Sequence, residues 1–332
     1  MSTFILKFFF KIPIFVLKIF FKKKPSFRGH QFDIQSQALI SLQPTIDLAS
    51  IPDNEISRIR NLIIKNRVHH NLSSNPKSVV KKVDHFLGND NTLCREYVPS
   101  KISSNKAILF FHGGGYVLSS VNTHDDMVAY FSEKLRTRIF SLDYKLAPEN
   151  KFPVALNNAI AAIEWLKDQG NNSKNISFCG DSAGAHLAAS LTHYLSNSQT
   201  PIHSQFLIYP MCDPNCNSES QKLFNERYFL TQKAMKWFWG HLKSHDKDME
   251  KDTFNLLNIS QKITADHTFI ITAGFDPLHD EAEKYASTLH NMGNSVKQLH
   301  YPSLFHGFAS MTRLKTANNA VNDFLREYKK IL

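Results

Sequence analysis

Residues 176–195 place a short apolar run (Ile176–Cys179), the turn Gly180-Asp181-Ser182-Ala183-Gly184 and an amphipathic helical pattern (Ala185–Leu195) in immediate succession. A run of this length suits a strand buried on both faces, and a strand that feeds a helix at once is the unit of a parallel sheet. The turn between them must be sharp. Gly180 and Gly184, two residues either side of Ser182, leave room for strand and helix to approach. A serine held there sits at a helix N-terminus, where the dipole favours developing negative charge, so Ser182 is the candidate nucleophile.

The same alternation runs through the body of the chain. Strands are expected at Ala107–His112, Ile139–Tyr144, Ile176–Cys179, Phe206–Tyr209, Thr268–Thr272 and Val296–Tyr301. Helices are expected at Asp125–Leu135, Val154–Lys167, Ala185–Leu195 and Asp280–Met292, each with apolar residues three and four apart. This predicts an α/β protein, a mostly parallel central sheet flanked by helices. Two stretches break the rhythm. Residues 29–80 carry a helical pattern (Ile56, Ile59, Leu62, Ile63) and no strand signal, and residues 213–262 form an aromatic, polar insertion with Trp237, Phe238 and Trp239. Both are expected to build a helical cap over the carboxyl ends of the strands, where such sheets bind ligands, with the catalytic domain spanning 81–332.

Phe110-Phe111-His112-Gly113-Gly114-Gly115-Tyr116 follows another buried run. Three consecutive glycines destabilise any regular element. Close approach of backbone N–H groups to a reacting oxygen explains them, and with Ala183 the residues Gly113, Gly114 and Gly115 are the candidate oxyanion-hole donors. Which two glycines donate stays open, and so does a purely conformational role for Gly113. The serine turn resembles that of α/β-hydrolases, in which the acid and then the histidine come from later in the chain. Asp276 follows the strand ending at Ala273, and Pro277 favours extended geometry there, so Asp276 is the candidate acid. Asp280 and Glu281 are expected simply to favour the first turn of the next helix. Of His290, His300 and His306, the last lies in a loop beside Gly307 and is the candidate base; His300 falls within a strand.

The formal net charge of +10 raises the question of a nucleic-acid partner. Seven of the basic residues, Lys7, Lys11, Lys18, Lys22, Lys23, Lys24 and Arg28, lie in residues 1–28, which contain no acid. The remainder is nearly balanced and shows no nucleic-acid module. Residues 4–21 hold fourteen apolar residues, three lysines and Pro13, a poor spanning segment and a poor cleavable signal. On a helix, Lys7, Lys11, Lys18 and Lys22 fall within about 60° of one another. Residues 1–28 therefore read as a basic amphipathic anchor in a membrane interface on a cytoplasmic protein, each lysine adding roughly 1 kcal/mol at an anionic surface. Pro13 must kink or split that helix. The alternative is a helix packed on the body or over the site mouth. Cys94, Cys179, Cys212 and Cys216 lack metal-binding spacing; Cys212 and Cys216 could close a short loop, but the expectation is that they are reduced and inert.

With these motifs in order, the chain resembles the hormone-sensitive-lipase-like family of α/β-hydrolases over roughly residues 80–310. The resemblance rests on His112-Gly113-Gly114-Gly115, Asp143-Tyr144-Lys145-Leu146-Ala147-Pro148-Glu149, Gly180-Asp181-Ser182-Ala183-Gly184, Asp276-Pro277-Leu278-His279-Asp280-Glu281 and His306-Gly307-Phe308. It implies an α/β-hydrolase fold with a helical cap built partly from the N-terminal region. It also implies a carboxylic-ester hydrolase for small-molecule or lipid-like esters of short or medium acyl chain, working through an acyl-enzyme without cofactor or metal. An N-terminal anchor is similar to the arylacetamide-deacetylase branch. Ala185 stands where glycine is common and Lys145 where arginine is usual. Two further functions stay open: an amide hydrolase with the same triad, and a ligand receptor on this fold, although such receptors lack the histidine present here as His306. Nothing in the sequence specifies an oligomeric state.

Overall fold

The apolar runs become the centre of an eight-stranded sheet. The computed structural model describes residues 9–10, 12–21, 25–42, 47–69, 79–226 and 228–332. In chain order these form α1 (Ile14–Phe20), β1 (Ser26–Phe27), β2 (His30–Gln31), α2 (Ile34–Leu42), α3 (Ile56–His69), β3 (Lys81–Leu87), β4 (Thr92–Val98) and β5 (Ala107–Phe111). There follow α4 (Val121–Leu135), β6 (Arg138–Leu142), α5 (Val154–Asp168), β7 (Ile176–Asp181), α6 (Ala183–Asn197), β8 (Ile202–Ile208), α7 (Glu219–Leu223) and α8 (Gln232–Leu242). The chain ends with β9 (Ala265–Phe275), α9 (His279–Asn291), β10 (Val296–Phe305) and α10 (Lys315–Lys329).

The strand order is β10-β9-β8-β7-β5-β6-β4-β3. Strands β5 to β10 pair in parallel, whereas β4 joins β6, and β3 joins β4, antiparallel. Every residue of β5 and β7 is buried, as a strand covered on both faces requires. Alternate residues of β5 serve two cores: Leu109 and Phe111 pack with α5 and α6, Ile108 and Phe110 with α4 and α10. The chain runs outward from β5 in both directions, so the loops after β5 and β7 open side by side at the sheet's topological switch point. Phe111 pairs with Gly180, which sets the glycine-rich loop directly beside the turn holding Ser182.

The structure adds elements that periodicity did not indicate. Strands β3 and β4 extend the sheet at its outer edge, where β3 leaves most of its residues exposed or half-buried and so lacks an apolar run. A two-residue strand at His30–Gln31 pairs with Ser26–Phe27, correcting the expectation of no strand between 29 and 80. Helix α4 starts at Val121 rather than Asp125, because the Val121 N–H donates to the Asp143 carboxylate (2.9 Å) and Ser120 N–H to Thr123 Oγ1 (3.0 Å). Helix α10 buries Ala317, Ala320, Val321, Phe324, Leu325 and Tyr328 along one face. The Tyr328 ring stacks on Phe206 at 4.3 Å. Each such aromatic contributes about 1.5–3 kcal/mol by burial.

Pro13 precedes α1 at its N-cap, so the expected interruption is a helix that begins after the proline. Leu17 is buried, while Phe15, Ile19 and Phe20 are 68%, 60% and 76% exposed. No helix among the described residues is long and apolar enough to cross a membrane. Lys7, Lys11 and Lys22–Lys24 lie outside the described residues. All four cysteines are buried free thiols.

Candidate active site

Ser182 stands between β7 and α6 with φ 56° and ψ −119°, a backbone conformation that a side chain rarely adopts. Tight packing holds it there. A Cβ on Gly180 would lie 2.3 Å from the Gly184 carbonyl carbon, and one on Gly184 would lie 2.0 Å from the Phe111 carbonyl oxygen. The Ser182 N–H also donates to Ile208 O at 2.8 Å. The side chain faces the carboxyl end of the sheet.

Two other strand ends supply its partners. His306, the residue after β10, places Nε2 2.9 Å from Ser182 Oγ. Its Nδ1 lies 2.8 Å from Oδ2 of Asp276, the residue after β9. The second Asp276 oxygen accepts the Leu278 N–H at 2.9 Å, which locks the carboxylate in plane. A carboxylate can only accept, so the His306 proton sits on Nδ1 and the Nε2 lone pair points at the serine. All three residues are buried, Asp276 almost completely. The arrangement can withdraw the serine proton and hold the resulting imidazolium beside a fixed negative charge. His290 is exposed at the end of α9, and His300 bonds Thr272 within the sheet, so neither reaches the serine.

The glycine loop divides its duties. Gly113 N–H donates to Asp181 Oδ1 at 2.9 Å, and a Cβ there would lie 2.6 Å from the same carboxylate. Gly113 is thereby removed from the candidate oxyanion donors, because its N–H is already engaged; it fastens the loop to the serine turn. Gly114 adopts φ +121°, and a Cβ there would lie 2.2 Å from Leu118 O. The N–H groups of Gly114, Gly115 and Ala183 have no acceptor among the described residues. A Cβ on Gly115 would overlap the Phe238 ring at 2.1 Å, so only glycine lets α8 sit this close to the loop.

A buried polar layer beneath the loop was not singled out in the sequence. Besides Gly113, Asp181 holds His124 Nε2 at 3.2 Å. Tyr144 stacks on His112 at 4.3 Å and donates its hydroxyl to His112 O at 2.6 Å. Burial, with His124 nearby, pushes the His112 imidazole down to about 4, so it stays neutral. Tyr116 OH lies 2.6 Å from His186 Nδ1, and His186 Nε2 donates to Phe254 O at 2.9 Å; burial pushes His186 down to about 4 as well. The position of Asp181 inside the serine turn was the available signal.

Glu281 departs from its expected role as a first-turn charge. It is buried, accepts the Cys212 N–H at 2.8 Å and Gln221 Nε2 at 3.2 Å, and burial pushes its pKa up to about 8. Asp280 accepts the Ser220 N–H at 2.7 Å. Both therefore fasten the start of the 213–262 insertion to α9.

A cleft of about 350 Å³ opens above Ser182 and His306. Its apolar wall includes Ile40 of α2, Ile63 of α3, Leu118, Phe229, Leu230 and Phe238 of α8. The start of α2 is clamped beside the candidate base: Asp33 N–H donates to Ser303 O (2.9 Å), Thr316 Oγ1 to Asp33 Oδ1 (2.7 Å) and Lys315 N–H to Gln35 Oε1 (3.0 Å). Arg60 of α3 donates to Val117 O, Ala147 O and the Glu149 carboxylate at 2.6–2.9 Å.

A mostly parallel sheet with this serine turn and glycine loop defines a class, and residues 108–310 match the family described as alpha/beta hydrolase fold. The chain belongs to the hormone-sensitive-lipase-like family of α/β-hydrolases. It is 31% identical over 232 residues to carboxylic ester hydrolase LipN of Mycobacterium tuberculosis, covering 66% of this chain and 61% of that protein. It is 29% identical over 211 residues to ethyl acetate hydrolase of Pseudomonas putida, covering 62% and 66%. The match thus spans just under two thirds of the length of these two relatives. The structure superposes on an esterase structure from Rhizomucor miehei with a TM-score of 0.81 at 26% identity, over 90% of this chain and 96% of that one.

Proposed function

We propose that the chain is a carboxylic-ester hydrolase for small or lipid-like esters with short-to-medium acyl chains. The observation that carries this reading is the Ser182–His306–Asp276 relay at 2.9 and 2.8 Å under an apolar cleft. Ser182 Oγ attacks the ester carbonyl carbon while His306 takes its proton. The oxyanion is met by the N–H groups of Ala183 and of Gly114 and Gly115. Collapse breaks the bond to the alcohol, which leaves with the proton from His306. Water, deprotonated by His306, then releases the acid and restores the serine. Residues 29–80 and 213–262 act as the cap, since helices from both segments line the cleft.

A p-nitrophenyl ester series tests this, with the matching anilides as the amide comparison. A cleft at the small end of ligand sites favours butanoate to octanoate, with kcat/KM falling roughly tenfold or more by palmitate. No hydrolysis of any ester would sink the reading, and a maximum at palmitate would replace the acyl-length assignment.

A membrane-interface role for the N-terminus rests on the outward Phe15, Ile19 and Phe20 of α1 together with the acid-free basic segment. The full chain is expected to sediment with anionic liposomes, less so at high salt, and a chain lacking residues 1–24 to stay in the supernatant. Equal sedimentation of the two refutes the anchor.

A further inference from the structure

Away from the cleft, the turn between β1 and β2 presents Arg28, and its guanidinium lands among acceptors on α9. Nη1 lies 3.0 Å from His279 Nε2 and 3.5 Å from Glu283 Oε2, and Nη2 lies 3.2 Å from Asp280 Oδ1. A guanidinium has no acceptor to offer, so His279 Nε2 carries a lone pair and its proton sits on Nδ1. The lone pair of an almost fully buried imidazole is thus aimed at a cation. One helical turn on, Glu283 Oε1 lies 3.5 Å from the same nitrogen. His300 reaches the spot from β10: its ring stacks on His279 at 4.8 Å, and its Nδ1 lies 2.9 Å from Thr272 Oγ1. That hydroxyl can accept the Nδ1 proton and leave Nε2 available, the arrangement that outer partners give to metal-bound histidines. One ligand atom from each of His279, Glu283 and His300 lies within 4.8 Å of the others.

We propose that His279, Glu283 and His300 form a divalent-metal site, suited to Zn²⁺, for which Arg28 is the built-in competitor. Two imidazoles and one carboxylate are a zinc donor set with a fourth position for water, whereas Mg²⁺ and Ca²⁺ favour all-oxygen sites. Glu283 and His300 are partly or fully exposed and free to draw in to the roughly 2 Å bonds that zinc requires. The ion and the guanidinium use the same His279 lone pair, so loading the site releases the hairpin tip from α9.

Calorimetric titration of the full chain with ZnCl₂ at neutral pH tests this. One equivalent is expected to bind saturably, with Glu283→Gln and His300→Gln each weakening it roughly tenfold or more. Arg28→Ala is expected to tighten binding, and Zn²⁺ to raise Tm in the parent but not in His300→Gln. Both glutamine variants change side chains outside the core, so loss of fold does not confound them. No saturable binding in either the parent or Arg28→Ala overturns the site, as does binding unaffected by both glutamine substitutions. An Arg28→Ala affinity equal to the parent's overturns the competition.

Discussion

Replacing Ser182 by alanine is expected to lower kcat for p-nitrophenyl ester hydrolysis by roughly 10⁴-fold or more, with Tm unchanged or slightly higher. The hydroxyl is bonded to His306 Nε2 and no acyl-enzyme can form without it. Alanine keeps the side-chain volume small in a turn whose φ of 56° is imposed by the surrounding packing, so the fold has little reason to change. Residual activity should come from the oxyanion donors and cleft alone, and a mass shift for the trapped acyl group should disappear. Activity near the parental level in Ser182→Ala would remove the serine from the mechanism.

Asp276→Asn should cost about 10⁴-fold in kcat although it changes almost nothing in shape. The argument lies in the hydrogen bonds. Leu278 N–H donates to Oδ1, so an asparagine must place its carbonyl oxygen there. Its NH₂ then occupies the position of Oδ2, 2.8 Å from His306 Nδ1, and donates to that nitrogen. The imidazole is forced into the tautomer with hydrogen on Nε2, which cannot accept the serine proton. A loss below about tenfold, in protein that folds as the parent does, would show that Asp276 does not orient the base.

Features carried by neighbouring residues were legible in the sequence. The serine turn, the glycine run and the strand ends before Asp276 and His306 each combine local periodicity with a motif, and the fold brings Ser182, Asp276 and His306 together. Features that depend on distant partners were not. Nothing within a few residues of Gly113 says that its N–H is taken by Asp181, 68 positions later. Glu281 reads as an ordinary first-turn acid until the Cys212 N–H arrives on its carboxylate. Strand β3 was hidden for another reason: one side of an edge strand faces water, so its composition resembles a polar loop. The zinc-site residues sit at His-x-x-x-Glu spacing, but only the β9–β10 pairing supplies the third ligand.

The clamp of Asp33 and Gln35 onto Ser303, Lys315 and Thr316 also orders events in time. Gln35 and Lys315 are 280 positions apart. At ribosomal speeds of about 5–20 residues per second, the first of them waits roughly 14–56 s for its partner. Until then the cleft wall carried by α2 has no counterpart to close on. The later segment therefore acts as the latch on the earlier one.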